Sequence, residues 1–283
     1  MRISAIVAAV PLLLGAALAD PTPRIDPQQL VSEVVANEEQ AAKNDNTNWM
    51  YVAQVTQKGR VETRRVVECQ DGDVSRLVAI DGKPLTPDEQ RKEDERISKV
   101  VNDQDQLAKQ RKNSQEDARK AREMLQMIKD AFLFKFDGRE GRFIRLKFEP
   151  NPKFDPPNRE ARVLHAMAGV MLVDGKEKRL AALQGRMVND VEFGAGILGH
   201  LYKGGTFALK RAEVAPGHWE STLVDVHLNG KALLFKSINE QQHEVRSNFK
   251  QVPDSEDARA AAQEVERNAD WATLRVASAG AAQ

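Results

Sequence analysis

The residues of this chain that could carry chemistry are few, and their spacing does not converge on a reaction. Residues 194–199, Gly-Ala-Gly-Ile-Leu-Gly, match the GxGxxG pattern of dinucleotide-binding loops. That pattern binds a pyrophosphate where it opens a helix inside a parallel βαβ unit. Here only four residues separate it from Gly204 and another strand-like segment. We therefore interpret it as a glycine-rich turn at the rim of a barrel-like sheet. Ile197, Leu198 and Leu201 would then fill one end of that barrel.

Histidines and carboxylates show no ligand or triad spacing either. The five histidines include no HExxH motif or comparably tight pair that would suit a metal. No GxSxG motif is present, and most carboxylates fall in one strongly charged segment, where a solvated surface is the default. The sequence thus predicts no metal site, no cofactor and no catalytic residue, and a hydrolase has no motif behind it. The histidines stand at positions 165, 200, 218, 227 and 243.

Charge and cysteine content restrict the class of protein further. The single cysteine, Cys69, excludes an internal disulfide, and we expect it to be a buried strand residue. The chain has 42 basic and 42 acidic residues. Arg2 is the one charged residue in positions 1–19, so loss of that segment would leave a net charge of −1. Such neutrality argues against nucleic acid as a partner, because nucleic acid favours a basic surface.

The first 19 residues have the features of a secretory signal. Arg2 precedes a short apolar run that ends at Ala17-Leu18-Ala19, which predicts cleavage after Ala19. An uncleaved membrane anchor is the alternative, but a spanning helix needs roughly 20 apolar residues and Pro11 interrupts this run. The expected location is periplasmic or secreted.

The elements that would position any binding residues are mostly strands. Alternating apolar and polar residues from Gly169 to Lys250 predict an antiparallel meander. Within it, Asn229-Gly230 favours a two-residue type I′ turn. That turn would place Val226 opposite Leu233 and Val224 opposite Phe235, all on one apolar face.

Two earlier hairpins are predicted with their own apolar faces. The first turns at Lys58-Gly59-Arg60, a three-residue loop chosen because a two-residue loop would scatter the apolar residues over both faces. It sets Trp49 opposite Cys69 and Tyr51 opposite Val67. The second turns at Asp137-Gly138, and its apolar side carries Ile144, Leu146 and Phe148.

Helices are expected around these strands. A charged helical insertion spans residues 86–130, opens with a Thr86–Glu89 capping box and restarts near Asn113. We interpret it as a solvated arm packed over the sheet, and docking of a partner protein is the alternative. The other predicted helices follow Asp26, Asn158 and Ser255-Glu256-Asp257.

Together these elements predict an α+β fold, a strongly curved antiparallel sheet (an unclosed β-barrel) covered by helices. The predicted organisation is a signal peptide at 1–19, a half-barrel domain at 20–253 containing the insertion, and a C-terminal helix and flexible tail at 254–283. The candidate apolar wall for a ligand comprises Trp49, Tyr51, Ile144, Leu146, Phe148, Val224, Val226, Leu233 and Phe235.

The order of elements also resembles the LolA/LolB-like periplasmic lipoprotein carriers and the related outer-membrane lipoprotein-sorting proteins. The segments that carry the resemblance are residues 53–58 (AQVTQK) and 76–85 (RLVAIDGKPL), followed by the C-terminal meander. The resemblance implies an unclosed barrel that shelters acyl chains, with a related branch that senses envelope stress. The charged insertion departs from the compact carriers.

The expected function is therefore non-enzymatic binding of an apolar ligand, a lipid or a lipoprotein acyl chain. The alternative is an envelope sensor or interaction module that binds another envelope protein through residues 86–130.

Overall fold

The computed structural model describes residues 25–57, 59–194, 199–232, 236–253 and 257–267, and these form one antiparallel sheet with five helices. The helices are α1 Pro27–Asn44, α2 Pro87–Asn102, α3 Gln104–Ala131, α4 Arg159–His165 and α5 Ala258–Arg267. The strands are β1 Asn48–Gln57, β2 Arg60–Val67, β3 Val74–Ile80, β4 Lys83–Pro84, β5 Phe132–Glu140, β6 Phe143–Pro150, β7 Met167–Asp174, β8 Leu180–Met187, β9 Val191–Phe193, β10 Gly199–Leu201, β11 Thr206–Ala215, β12 His218–Ala232 and β13 Lys236–Val252.

The sheet is not closed, which confirms the predicted α+β class. Its strands follow the order β4-β3-β2-β1-β13-β12-β11-β8-β7-β6-β5, and the β9–β10 hairpin pairs with β12. The two free edges are therefore β4 and β5, which are neighbours along the chain. Consequently the charged insertion, α2 and α3, connects one edge of the sheet to the other. No helix among the described residues is long and apolar enough to cross a bilayer. The predicted signal peptide lies outside the described residues.

Capping side chains begin α1 and α2 where the sequence indicates. The Asp26 carboxylate accepts hydrogen bonds from the first backbone N–H groups of α1. Thr86 and Glu89 cap each other's backbone at the start of α2. The predicted restart near Asn113 is wrong, because the helix pair breaks at Asp103, whose carboxylate accepts from the Gln106 backbone N–H at 2.9 Å.

The first hairpin has a shorter connection than predicted. Gln57 pairs with Arg60, so two residues connect the strands, and Tyr51 lies opposite Val66 rather than Val67. The alternation misled because β1 is apolar on both faces: Trp49 and Tyr51 belong to one buried cluster and Met50 to another.

The predicted Asn229-Gly230 turn is also wrong, because β12 continues through it to Ala232. Gly230 instead packs against β10, where an added Cβ would lie 2.3 Å from the carbonyl oxygen of His200. The glycine therefore permits a close approach between strands rather than a turn.

The second hairpin turns later than predicted. Strand β5 continues to Glu140, and the turn falls at Gly141-Arg142. The β5–β6 pairing shifts register between Phe136 and Gly138, and Gly138 has a φ of +118°. This glycine accommodates a bulge in the edge strand.

Helices cover opposite faces of the sheet at its two ends. Direct cross-strand pairs place one row of residues on a single face, which we call the α1 face. Over β5–β8 this face is covered by α1, α4 and the end of α3. At β1–β3 the opposite face is covered by α2 and α5, through a cluster that contains Met50, Val67 and Ile97. The row that defines the α1 face is Leu146, Met171, Leu183, Leu209, Val224, Glu244 and Val55.

A buried ion cluster fixes α1 to the sheet. The Glu38 carboxylate is 6% exposed and accepts from the Arg179 guanidinium at 3.0 and 3.1 Å, from Arg211, and from the Leu180 backbone N–H at 2.8 Å. Burial acts to raise the pKa of Glu38, but the Arg179 hydrogen bond and the charges of Arg211 and Arg179 outweigh it, so the pKa lies below 4.5.

We predict that Glu38→Gln destabilises the protein by about 3 kcal/mol at pH 7, because it leaves buried guanidinium charge without its counterion. Since the folded pKa of Glu38 is lowered, its stabilisation is present above pH 4.5 and is lost as the pH falls through the folded value. The difference in urea unfolding free energy between wild type and variant should therefore shrink at acidic pH. Glu39→Gln, at a half-exposed neighbour, is the control, and a difference that does not change with pH would contradict the prediction.

Candidate functional site

The nine residues of the predicted apolar wall do not form one wall. Ile144, Leu146 and Phe148 are 2%, 0% and 3% exposed and belong to the packed core under α1. Core side chains surround Ile144 and Leu146, whereas Phe148 also borders a surface cleft beside Leu133 and Val170. Leu233 and Phe235 lie outside the described residues.

Trp49 and Tyr51 lie in a separate aromatic cluster on β1. The Phe249 ring centroid is 6.3 Å from that of Trp49 and 5.3 Å from that of Tyr51, and the Arg246 guanidinium lies 5.1 Å from the Tyr51 centroid. His218 approaches Trp49 edge-on at 5.7 Å. These contacts fill the space around both rings.

Val224 and Val226 are half-buried on the α1 face, beyond the part that helices cover. Their cross-strand neighbours on β11 are Leu209 and Phe207, and on β13 they are Glu244 and Gln242. The predicted pairing with Phe235 and Leu233 is therefore wrong. This part of the α1 face is a partly exposed apolar strip with a polar border.

An open and partly apolar surface lies on the opposite face of β5–β8 and was not predicted. Two adjoining clefts there, of about 420 and 400 Å³, share four lining residues, and we call the pair the outer groove. Leu133 and Val188, which are 40% and 37% exposed, line it. The shared residues are Ala168, Gly169, Val170 and Arg186.

Two facing glycines make the floor of the outer groove. Gly169 and Gly185 are direct cross-strand partners on β7 and β8. An added Cβ on Gly169 would lie 2.0 Å from the Gln184 carbonyl oxygen, and one on Gly185 would lie 2.5 Å from that of Ala168. Only glycine permits so close a backbone approach. Glycines inside strands were the one sequence signal that could have indicated this site.

We predict that Gly169→Ala destabilises the fold by about 1–3 kcal/mol, because the strands must separate to admit the methyl group. Thermal unfolding measures this change. Gly199→Ala is the control, since a Cβ there meets only the Phe193 side chain and more distant backbone. Equal midpoints for Gly169→Ala and wild type would show that the floor tolerates a side chain.

The charged residues at the outer groove are mostly paired. Lys135 bonds Glu149 at 2.7 Å, and Lys147 bonds Asp137 at 2.7 Å. The Asp225 carboxylate lies close to two histidines. Its Oδ1 atom is 2.9 Å from His243 Nδ1 and 3.2 Å from His227 Nε2. His227 thus lies on a polar strand face.

By contrast, Arg186 and Gln184 make no side-chain hydrogen bond or ion pair with any described residue. Both are exposed and face the groove from β8, and Thr206 lies directly opposite Arg186 on β11. These groups leave hydrogen-bond donors available to a ligand.

Comparison with known proteins gives one distant structural neighbour. No family model matches the chain, and no curated protein does. The solved structure of a DUF1329 family protein from Desulfovibrio piger ATCC 29098 is similar at a TM-score of 0.29 and 9% identity, over 83% of this chain and 98% of that chain. The likeness is remote.

The remaining motifs have structural roles in the described residues. The GxGxxG run connects the antiparallel strands β9 and β10, a topology unlike a parallel βαβ unit, and its residues 195–198 lie outside the described part. Cys69 is buried, and its Sγ lies 2.7 Å from the Gly72 carbonyl oxygen. Within the described ranges no three His, Cys, Asp or Glu side chains converge as a metal would require.

One carboxyl group near the aromatic cluster is strongly perturbed. Glu68 accepts from the Trp49 backbone N–H at 3.0 Å. Burial, and then the neighbouring charges of Asp73 and Glu220, raise the pKa of Glu68 to about 8. The folded protein favours the neutral Glu68 carboxyl more than the unfolded chain does. The resulting stabilisation of the fold is fully present below pH 4.5 and is lost as the pH rises through about 8.

We therefore predict that Glu68→Gln makes the protein more stable than wild type at pH 9, because the variant has no charge to bury. Denaturant unfolding at pH 5, 7 and 9 measures the effect, and the gain should grow with pH. Glu62→Gln, on the preceding strand β2, is the control. A gain that is independent of pH would mean that Glu68 ionises freely in the folded protein.

Proposed function

We propose that the protein is a non-enzymatic binding protein that shelters an apolar chain, of a lipid or a lipoprotein, in the outer groove. The single observation that carries the proposal is the pair of adjoining clefts, of about 420 and 400 Å³, lined by exposed Leu133 and Val188. Ligand sites are typically concave and mostly apolar, with a few polar groups that orient the ligand.

Burial would supply the affinity. Each CH₂ group removed from water contributes about 0.8 kcal/mol, so a chain that is only partly enclosed can still bind usefully. Exposed large apolar side chains on a sheet face stabilise nothing by themselves, and a contiguous apolar patch on a monomer is often a binding surface. The core under α1 has the opposite character, since its apolar residues are already covered by helices.

The proposed setting is the periplasm or the exterior, from the predicted signal peptide at residues 1–19. A lipid chain in an aqueous compartment needs an apolar shelter, which agrees with the resemblance to the LolA/LolB-like carriers. The proposal differs from a simple half-barrel carrier in placing the chain on the face opposite α1.

A second candidate function is that of an envelope sensor or interaction module, and the surface of α3 favours it. Between Leu107 and Ile128 no side chain of this helix is buried. A partner protein could bind that charged surface. Reversal of the Arg119–Glu116 charges should then abolish partner capture and leave lipid binding unchanged.

The test of the proposed function begins with protein purified from the compartment in which it is expressed. Native mass spectrometry followed by organic extraction should detect a bound lipid mass. An empty protein that also fails to bind a fluorescent fatty-acid probe would refute the proposal.

We predict that Leu133→Gln weakens binding of the probe about five- to tenfold, because one apolar wall residue of the groove is lost. Phe136→Gln is the matched control, since Phe136 is 49% exposed on the same strand and does not line the groove. Equal losses for both variants would place the chain elsewhere.

A further inference from the structure

We infer that the outer groove selects amphiphiles with an anionic head group, which Arg186 binds at the junction of the two clefts. The inference rests on the proposed function and adds the chemical class of the ligand. Arg186 would bind the head group of the ligand, whereas the proposed function requires only an apolar chain.

The position of Arg186 is the first observation. Arg186 lines both clefts, so a ligand in either one passes its side chain. It lies on β8 between Ala168 and Thr206, its direct cross-strand neighbours on β7 and β11. The small Ala168 side chain leaves the guanidinium accessible from the groove.

The lack of a counterion for Arg186 is the second observation. The two lysines that line the groove are each paired with a carboxylate, and Asp225 is engaged by two histidines. Arg186 has no ion pair among the described residues. It is therefore the lining cation whose charge no described side chain neutralises.

The neighbouring polar groups complete a donor-rich patch. Gln184 lies two residues before Arg186 on the same face of β8, and Thr206 lies opposite Arg186. The Arg186 guanidinium presents a planar fork that matches the two oxygens of a carboxylate or phosphate. The Gln184 amide and the Thr206 hydroxyl can donate hydrogen bonds beside it. An uncharged head would leave the guanidinium without a counterion.

The apolar walls then determine where the chain lies. Leu133, Val170 and Val188 line the cleft toward the β5 edge, where the chain can follow their side chains away from Arg186. A carboxylate of a fatty acid and a phosphate of a single-chain phospholipid share this chemistry. Free anions without a chain would use Arg186 but not the apolar walls.

The test compares two probes of equal chain length, oleic acid and oleyl alcohol, on the full-length protein at neutral pH. Wild type should bind the acid about tenfold more tightly than the alcohol, because a charge-assisted hydrogen bond is added. Arg186→Gln should remove that preference and leave the affinity for the alcohol within about twofold. The matched control is Arg139→Gln, an exposed arginine on β5 that does not line the groove.

Each result decides between the two proposals. Equal binding of acid and alcohol by wild type, or an equal loss of both in Arg186→Gln, would overturn the head-group inference and leave the proposed function standing. If neither probe binds, both fail. If millimolar acetate or inorganic phosphate displaces the acid completely, the patch is a free-anion site and the amphiphile inference is overturned. If Arg186→Gln does not fold, Arg186→Lys keeps the charge without the fork and should retain only part of the preference.

Discussion

The rest of this structure depends on how an unclosed sheet covers its two faces. A closed barrel buries one face within itself. An open antiparallel sheet instead relies on helices to cover its apolar faces, and any part that they do not reach stays exposed. Here α1, α4 and the end of α3 cover one face at β5–β8, while α2 and α5 cover the opposite face at β1–β3. The outer groove lies in the uncovered remainder, so its position results directly from the distribution of helices.

Electrostatics reinforces this arrangement at a few buried points. Glu38 joins α1 to β8 and β11 through Arg179 and Arg211, so the helix cannot slide without breaking a buried ion cluster. Glu68 represents the reverse case, because its environment favours a neutral carboxyl. The two groups respond to pH in opposite directions: the stabilisation from Glu38 is lost on acidification, and that from Glu68 is lost as the pH rises.

Local signals in the sequence were sufficient for the fold class and for the starts of α1 and α2, but not for the start of α3, for register or for the site. Caps such as Asp26 and the Thr86–Glu89 box are decided by neighbouring residues, so they were predictable. The Asn229-Gly230 pair failed because Gly230 serves a contact with β10, which is distant in sequence.

The same limit applies to the apolar wall. Alternation identifies an apolar face, but it does not say whether a helix already covers that face, and α1 covers Ile144, Leu146 and Phe148. The outer groove depends on which face of the sheet stays bare, and that is a property of the assembled sheet.

The pairing of β1 with β13 has a consequence for how the molecule assembles. Met50 lies opposite Lys250, so this pairing joins the first strand of the described chain to the last. Such non-local pairing forms slowly, because a long loop must close before its contacts form. The β1–β4 and β5–β13 portions pair mainly between strands that are close in sequence, because β13 pairs with β12 just before it. The β1–β13 ladder is therefore the long-range contact that joins the two portions into one sheet, and without it an inner edge of each portion would be unpaired.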